Sequence, residues 1–308
     1  MKVLVTGGAG FIGSHIVDAL IEHGHDVAVV DDLYTGSTSH VNPGARLYRV
    51  SICDRDLADV FEQERPDVVN HHAAQTVVTR SVEEPAFDAQ VNILGSLNVI
   101  TTCVRFGVPR LIYASSGGAV YGEPQYLPVD EHHPVNPLSQ YGISKHTVEH
   151  YLYLYGQHYG LDYVALRYSN VYGSRQNPRG EAGVVAIFAG LMLKGQRPTI
   201  FGAGDKTRDY THVSDIVSAN LLAMEHGERA IYNIGTGVET SDQEMFDALA
   251  RALGYGDAPI YAPYRTGEVR RICLDTSLAQ RELGWSPRLS LEQGLAATVD
   301  YYRSFETS

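Results

Sequence analysis

The stretch KVLVTGGAGFIGSHIVDALIEHGHDVAVVDD, residues 2–32, decides the fold. An apolar run from Val3 to Val5 meets a glycine turn, a helical stretch follows, and a second apolar run from Val27 to Val30 ends in Asp31. That order describes a strand, a crossover helix and a parallel strand. Within the turn, Gly7, Gly10 and Gly13 stand three apart. The first permits a sharp bend, the second lets backbone approach a diphosphate, and the third lets the helix pack closely on the strand. The helix N-terminus then faces the phosphates. Asp31 comes roughly 20 residues on, where a carboxylate accepts from both adenosine ribose hydroxyls and repels a 2′-phosphate. The cofactor expected is NAD rather than NADP.

Working outward, strand-like runs recur at 47–50, 66–73, 110–116 and 162–170, each preceded by a helical stretch. Such alternation predicts an α/β fold, a doubly wound parallel Rossmann sheet with ligands at the carboxyl ends of its strands. Polar residues fall there: Asp31, Ala73-Ala74-Gln75, Ser115-Ser116 and Asn170. After Asn170 the alternation breaks into YGSRQNPRGEAG, a helix over 184–194, a strand near 230–234, and helices around 241–253 and 277–283. Residues 1–170 are therefore expected to form the NAD-binding domain and 171–308 a smaller C-terminal α/β substrate-binding lobe, with part of 211–235 packing back on the first.

Tyr141 and Lys145 lie four apart in QYGISKHTVEHYLYLY, a spacing that stacks both on one helix face. An ammonium beside the phenol is expected to stabilise phenolate and lower the tyrosine from its usual value of about 10, making a general base.

Composition sets limits on partners. The 308 residues carry a formal net charge of −12, which argues against a nucleic-acid or anionic-membrane surface; an anionic substrate would need a local cluster of arginines. Cys53, Cys103 and Cys273 are odd in number and far apart, so no disulfide framework is expected and the compartment reads as reducing, cytoplasmic. No apolar run approaches membrane length. The 13 histidines include the adjacent pairs His71-His72 and His132-His133 but show no zinc-ligand spacing with cysteine, so no metal is expected.

TGGAGFIG, NHHAAQ, YASSGGAVYGEP, YGISK, RYSNVYG and RDYTHVSD occur in that order over essentially the whole chain. In this the sequence resembles the extended short-chain dehydrogenase/reductase family of nucleotide-sugar enzymes. The resemblance implies that Gly7, Gly10, Phe11, Ile12 and Gly13 meet the NAD diphosphate and Asp31 the adenosine ribose. Ile52, Ala73, Ala74, Asn92, Ser115 and Tyr168 would complete the cofactor groove, with Lys145 bridging the nicotinamide ribose and Tyr141. Asn170, Val184, Val185, Phe201, Arg208, Arg265 and Glu268 would hold the nucleotide sugar, the arginines supplying a guanidinium fork for its phosphates.

Departures from the family pattern are informative. Ser51 stands where an acidic residue usually meets adenine, and Thr76 where a lysine is usual. The family's catalytic Ser or Thr position is Gly117, one beyond Ser116; a bulge at Gly117-Gly118 is expected to bring Ser116 into place, with Ser115 as the alternative. Dehydratases of the family carry Asp-Glu before VYG, and decarboxylases keep the Glu. This chain has Gly118-Ala119, which cannot transfer protons. The resemblance then implies 4-epimerisation of a UDP-sugar, UDP-glucose and UDP-galactose foremost. UDP-glucuronate, UDP-N-acetylglucosamine and a net oxidoreductase or dehydratase remain open. Ile272 is expected to face the sugar. Apolar residues of the helices near 88–105 and 141–159 (Val91, Leu94, Leu97, Val148, Leu152, Leu154) exceed what one sheet face would cover, and the family pairs these helices in a homodimer.

Overall fold

The computed structural model describes residues 1–178, 183–265 and 269–306. Six strands follow in chain order: β1 (Lys2–Thr6), β2 (Asp26–Val30), β3 (Arg46–Tyr48), β4 (Val68–His71), β5 (Arg110–Ser116) and β6 (Asp162–Tyr168). With the strand Ala230–Ile234 they form one seven-stranded sheet in the order Ala230–Ile234, β6, β5, β4, β1, β2, β3. Every pairing is parallel. The register sets Thr6 beside both Val30 and His71, and Ser116 beside Tyr168, so the carboxyl ends share one rim.

Both faces of the sheet are covered, which is why its strands are almost wholly apolar. In β1 the alternation sends Val3 and Val5 to one face, where they pack with Ile16, Val17 and Leu20 of helix α1 (Phe11–Glu22). Leu4 points the other way, toward Phe61, Val99, Ile100, Val148 and Leu152. A third core, built from Tyr172, Phe188, Met192, Met245, Phe246, Leu249, Leu295 and Val299, holds the C-terminal lobe.

Several expected boundaries move. The run 162–170 splits at Ser169: β6 ends at Tyr168, and β7 (Asn170–Tyr172) pairs with Tyr210–His212 in a small parallel sheet. Ser169 makes the break because its N–H bonds Ile234 O while its hydroxyl meets Thr211 Oγ1 at 2.7 Å, turning the chain toward the lobe. No helix precedes β3. The crossover from β2 carries only a short 3-10 turn, Thr38–His40, because Gly36, Asn42, Pro43 and Gly44 break the run. The helix expected near 88–105 is interrupted by a π-helical stretch, Gln90–Gly95, before Ser96–Phe106.

The division at residue 170 is not a clean one. Ile216, Ala219 and Ala223 of the helix Val213–Ala223 share the core of α1, and so do Ala279, Leu283 and Trp285, which the expectation assigned to the lobe. Among the described residues all three cysteines are free, and no helix is long and apolar enough to cross a membrane.

Candidate active site

A cleft of about 1490 Å³ runs along the carboxyl rim of the sheet. At its floor, Gly7 leaves β1 with φ +70°, and a Cβ there would lie 2.6 Å from Ala73 N. A Cβ on Gly13 would collide with Gly7 O. Only glycine allows both approaches, so the spacing read from the sequence is a backbone requirement. Gly10 precedes α1 in extended conformation, and the helix has neither a side-chain cap nor an acidic residue in its first turn. Its opening N–H groups therefore remain available to an anion. Gly7, Gly10, Phe11, Ile12 and Gly13 all line the cleft.

Asp31 sits at the end of β2, 7% exposed. Its two oxygens accept from Ala9 N at 3.0 Å and Leu33 N at 2.8 Å, which fixes the carboxylate at the cleft wall. Burial raises its pKa above the ordinary carboxylate value, opposed by those two N–H donors. Ser51, Ile52, Ala73, Ala74 and Thr76 complete this end. Asn92 lies beneath the lining rather than on it: its side chain bonds Gln75 N and O, Asp88 Oδ1 and Ser144 Oγ. It braces the loop that carries Ala73 and Ala74.

Tyr141 and Lys145 enter from the helix Gln140–Tyr159, whose N-cap Ser139 accepts from Gly142 N. The two share a face as the spacing requires, but the electrostatics differ from expectation. Lys145 Nζ donates to Ala114 O at 2.8 Å and lies 5.9 Å from the centre of the Tyr141 ring. Burial therefore dominates: Tyr141 is pushed up to about 12, against a hydrogen bond with Ser116 that lowers it. Lys145 is pushed down to about 8, again by burial, with Asp88 and Glu149 opposing. The lysine does not by itself make the phenol acidic.

The two serines part company. Ser115 donates to buried Glu149 Oε1 at 2.6 Å. Burial disfavours charge on Glu149, yet hydrogen bonds from Arg167 and His146, with the guanidinium charge, outweigh it and hold the carboxyl down at about 2. Ser116 lines the cleft beside Tyr141. The expected bulge is absent, since Gly117–Val120 forms a single helical turn straight after β5. Position 117 faces the core, where a Cβ would lie 2.5 Å from Leu274 Cδ1. Gly118 and Ala119 return to the cleft wall. Tyr168 accepts from Asn220 Nδ2 at 2.8 Å and lies 3.1 Å from His72 Nε2, its ring stacked on that imidazole. Burial and the Lys145 charge hold His72 down at about 3, so it is neutral.

Of the residues expected to hold a nucleotide sugar, Asn170 and Arg208 line the cleft. Arg208 is aimed there because its neighbour Asp209 is pinned by Thr236 N and Oγ1, Gly237 N and Leu274 N. Phe201 lies under the Arg265 guanidinium at 3.7 Å, in the lobe beyond the lining. Val184 opens the helix Val184–Leu193, and Val185 is buried in the lobe core. Glu268 falls outside the described residues. Ile272 does not face the cleft: it is buried with Val120, Tyr121, Val129 and Leu274.

The sequence reading missed part of the wall. Tyr34, Arg80, Phe87, Arg175 and Gln176 all line the cleft, and Arg80 stacks on Phe87 at 4.1 Å and on Tyr34 at 5.2 Å. His72 Nδ1, Arg175 Nη1 and Gln176 Oε1 are buried with no hydrogen-bond partner among the described residues. Unpaired polar atoms at a cleft are what a polar ligand satisfies. An arginine and a glutamine one residue beyond RYSNVYG are the signal in the sequence.

This is a Rossmann-type dinucleotide fold with a Tyr-x-x-x-Lys helix at the rim of its sheet. Residues 3–235 match the NAD dependent epimerase/dehydratase family, and the chain belongs to it. The UDP-glucose 4-epimerase of Mycolicibacterium smegmatis is 43% identical over 312 residues, 99% of each chain. A crystal structure of UDP-glucose 4-epimerase with UDP-glucose from Thermotoga maritima is 49% identical, with a TM-score of 0.98 over 99% of this chain and 100% of that one. One from Thermus thermophilus in complex with NAD is 46% identical, with a TM-score of 0.94 over 98% of this chain and 99% of that one.

Proposed function

We propose that this protein is an NAD-dependent 4-epimerase of a UDP-sugar, interconverting UDP-glucose and UDP-galactose. The observation that carries the reading is the wall around Tyr141: Ser116 and Lys145 stand with it, while Gly118 and Ala119 bring no ionisable group. Without a further acid and base, neither elimination of water nor decarboxylation has its proton carrier. The relatives that act on UDP-glucose match over the full chain.

The cofactor's diphosphate fits the glycine turn and the uncapped start of α1, and its adenosine ribose fits Asp31. Bound there, NAD would supply a reversible hydride acceptor for C4 of the sugar, so that net redox would be zero. Ser116 orients the sugar hydroxyl and shares its hydrogen bond with Tyr141, which takes the proton as phenolate and later restores it. Burial holds the phenol up at about 12 while Ala114 O engages Lys145, so its ionisation depends on that ammonium being freed. Lys145, released from Ala114 O, supplies positive charge near the phenol and would be the residue to hold the nicotinamide ribose. Asn170 and Arg208 hold the nucleotide diphosphate from the cleft wall, and Arg265, seated on Phe201 in the adjoining lobe, adds a further guanidinium for it.

Exposed Leu94 and Leu154 on the two outer helices, with half-buried Leu97, support a homodimer through those helices, whereas Val91 lines the cleft. Val148 and Leu152 belong instead to the protein's own core.

Incubation of the purified protein with UDP-glucose, UDP-N-acetylglucosamine and UDP-glucuronate, without added cofactor, tests the reading. Conversion of UDP-glucose to UDP-galactose at the highest kcat/KM is the expected result. A dehydrated product, or turnover only with stoichiometric NADH, would overturn it.

A further inference from the structure

In the sheet, β1 lies between β4 and β2, so the loop after β2 and the helical segment after β4 stand on either side of the glycine turn. Three side chains join them across the cleft. Tyr34 comes from the loop after β2, Arg80 from the helix Val78–Glu83 and Phe87 from the helix Pro85–Ala89, and all three line the cleft. The Arg80 guanidinium lies 4.1 Å from the centre of the Phe87 ring and 5.2 Å from that of Tyr34, inside the cation–π range of about 6 Å. Its Nη1 also donates to the Tyr34 hydroxyl. The two rings stand 6.2 Å apart, with the guanidinium serving both.

Each half of this bridge is held from behind. Arg80 donates through Nε and Nη2 to the two oxygens of Glu84, at 3.1 and 3.2 Å, a two-pronged pair that fixes the guanidinium plane and leaves Nη1 for Tyr34. On the opposite side Leu33 holds φ +60°, an uncommon conformation for leucine. Its N–H donates to Asp31 Oδ1 at 2.8 Å, and Tyr34 N donates to Asp32 Oδ1 at 2.9 Å. The carboxylate assigned to the adenosine ribose therefore also sets the turn that delivers Tyr34.

We propose that Arg80, Tyr34 and Phe87 form a latch over the adenosine end of the cleft that retains the dinucleotide from one turnover to the next, with Arg80 as its pin. The inference rests on the NAD-dependent reading above. A dinucleotide with its diphosphate at the glycine turn and its ribose at Asp31 passes beneath the bridge, and leaves only when the bridge opens. In a reaction of zero net redox the cofactor has no need to exchange. A closed latch then slows release without hindering the sugar, whose cleft residues Asn170 and Arg208 lie outside the bridge. Arg80 is a positioning residue: it holds the wall that covers the cofactor and touches no reacting atom.

The test follows release directly. Protein loaded with carbon-13-labelled NAD is chased with unlabelled NAD and desalted at intervals, and the label retained is read by mass spectrometry. Arg80→Ala loses both ring contacts and the hydrogen bond, and is expected to release label at least about tenfold faster than the wild type. Tyr34→Phe keeps the ring and loses only the hydroxyl, so release about threefold faster is expected. Arg65→Ala is the control: Arg65 stacks on Phe106 at 5.2 Å, just before β4 at the opposite rim of the sheet, and its loss should leave the release rate unchanged. NAD bound in every protein and lost at one common rate would overturn the latch and leave the cofactor reading standing. Denatured wild type yielding NADP(H), or no dinucleotide, would overturn both.

Discussion

Gly117 packs against Leu274 so closely that a Cβ on the glycine would lie 2.5 Å from Leu274 Cδ1. The position to which the family resemblance assigns a catalytic hydroxyl therefore points into the core in this chain, and the hydroxyl facing Tyr141 belongs to the preceding residue. Ser116→Ala is expected to lower kcat about a hundredfold, the scale of a lost proton-transfer partner. Adding Gly117→Ser to that variant should not rescue turnover and should lower Tm, since the new side chain must displace Leu274. Recovery of turnover in the double variant would return the role to position 117.

The glycine turn and Asp31 concern cofactor choice. The purified protein should release NAD(H) on denaturation, and Asp31→Ala should be isolated largely without it, because the ribose hydroxyls lose their acceptor. Liquid chromatography of the denatured supernatant distinguishes NAD(H) from NADP(H). Release of mainly NADP(H) would contradict the assignment.

Parts of the site that depend on backbone geometry were legible in the sequence, whereas those set by burial were not. Gly7 and Gly13 could be read directly because no other residue fits their contacts. The Tyr141–Lys145 spacing gave the shared helix face, but not the tyrosine's pKa. Desolvation outweighs a lysine whose ammonium is taken up by Ala114 O. Asn92 and Ile272 were placed by motif position, and tertiary packing turned both away from the cleft. The β2–β3 crossover was assigned a helix from fold rhythm alone, against its own Gly, Asn and Pro.

Glu149 links the site to acid stability. Its carboxyl is held at about 2 in the folded protein against an ordinary 4.5. A depressed folded pKa contributes stability above the unfolded value, lost as pH falls from about 4.5 toward 2. Glu149→Gln leaves Arg167 buried without its counter-charge, a loss of roughly 3 kcal/mol at neutral pH. Urea midpoints of the two proteins should differ most above pH 5 and converge as the wild type is acidified. A constant difference down to pH 3 would show that the pair is not ionic.

The proposed homodimer rests on Leu94 and Leu154, both exposed on outer helices. Leu154→Glu should convert a dimer into monomers by light scattering at micromolar concentration, while leaving the circular dichroism spectrum unchanged. A wild-type monomer under the same conditions would remove the proposal.

The proposed chemistry turns on Tyr141 as the proton carrier and Ala119 as an inert neighbour. Tyr141→Phe keeps the ring and its packing but removes the hydroxyl that meets Ser116. Turnover should fall at least about a hundredfold, with UDP-sugar affinity retained because the diphosphate is held elsewhere, by Arg208 among others. UDP-glucose deuterated at C4 should give UDP-galactose with the label still at C4 and no added NAD, since the hydrogen never passes to a residue that exchanges with water. Mass spectrometry of the product reads this directly. Label lost to solvent would mean that a side chain carries that hydrogen as a proton, and would overturn the return of the same hydride.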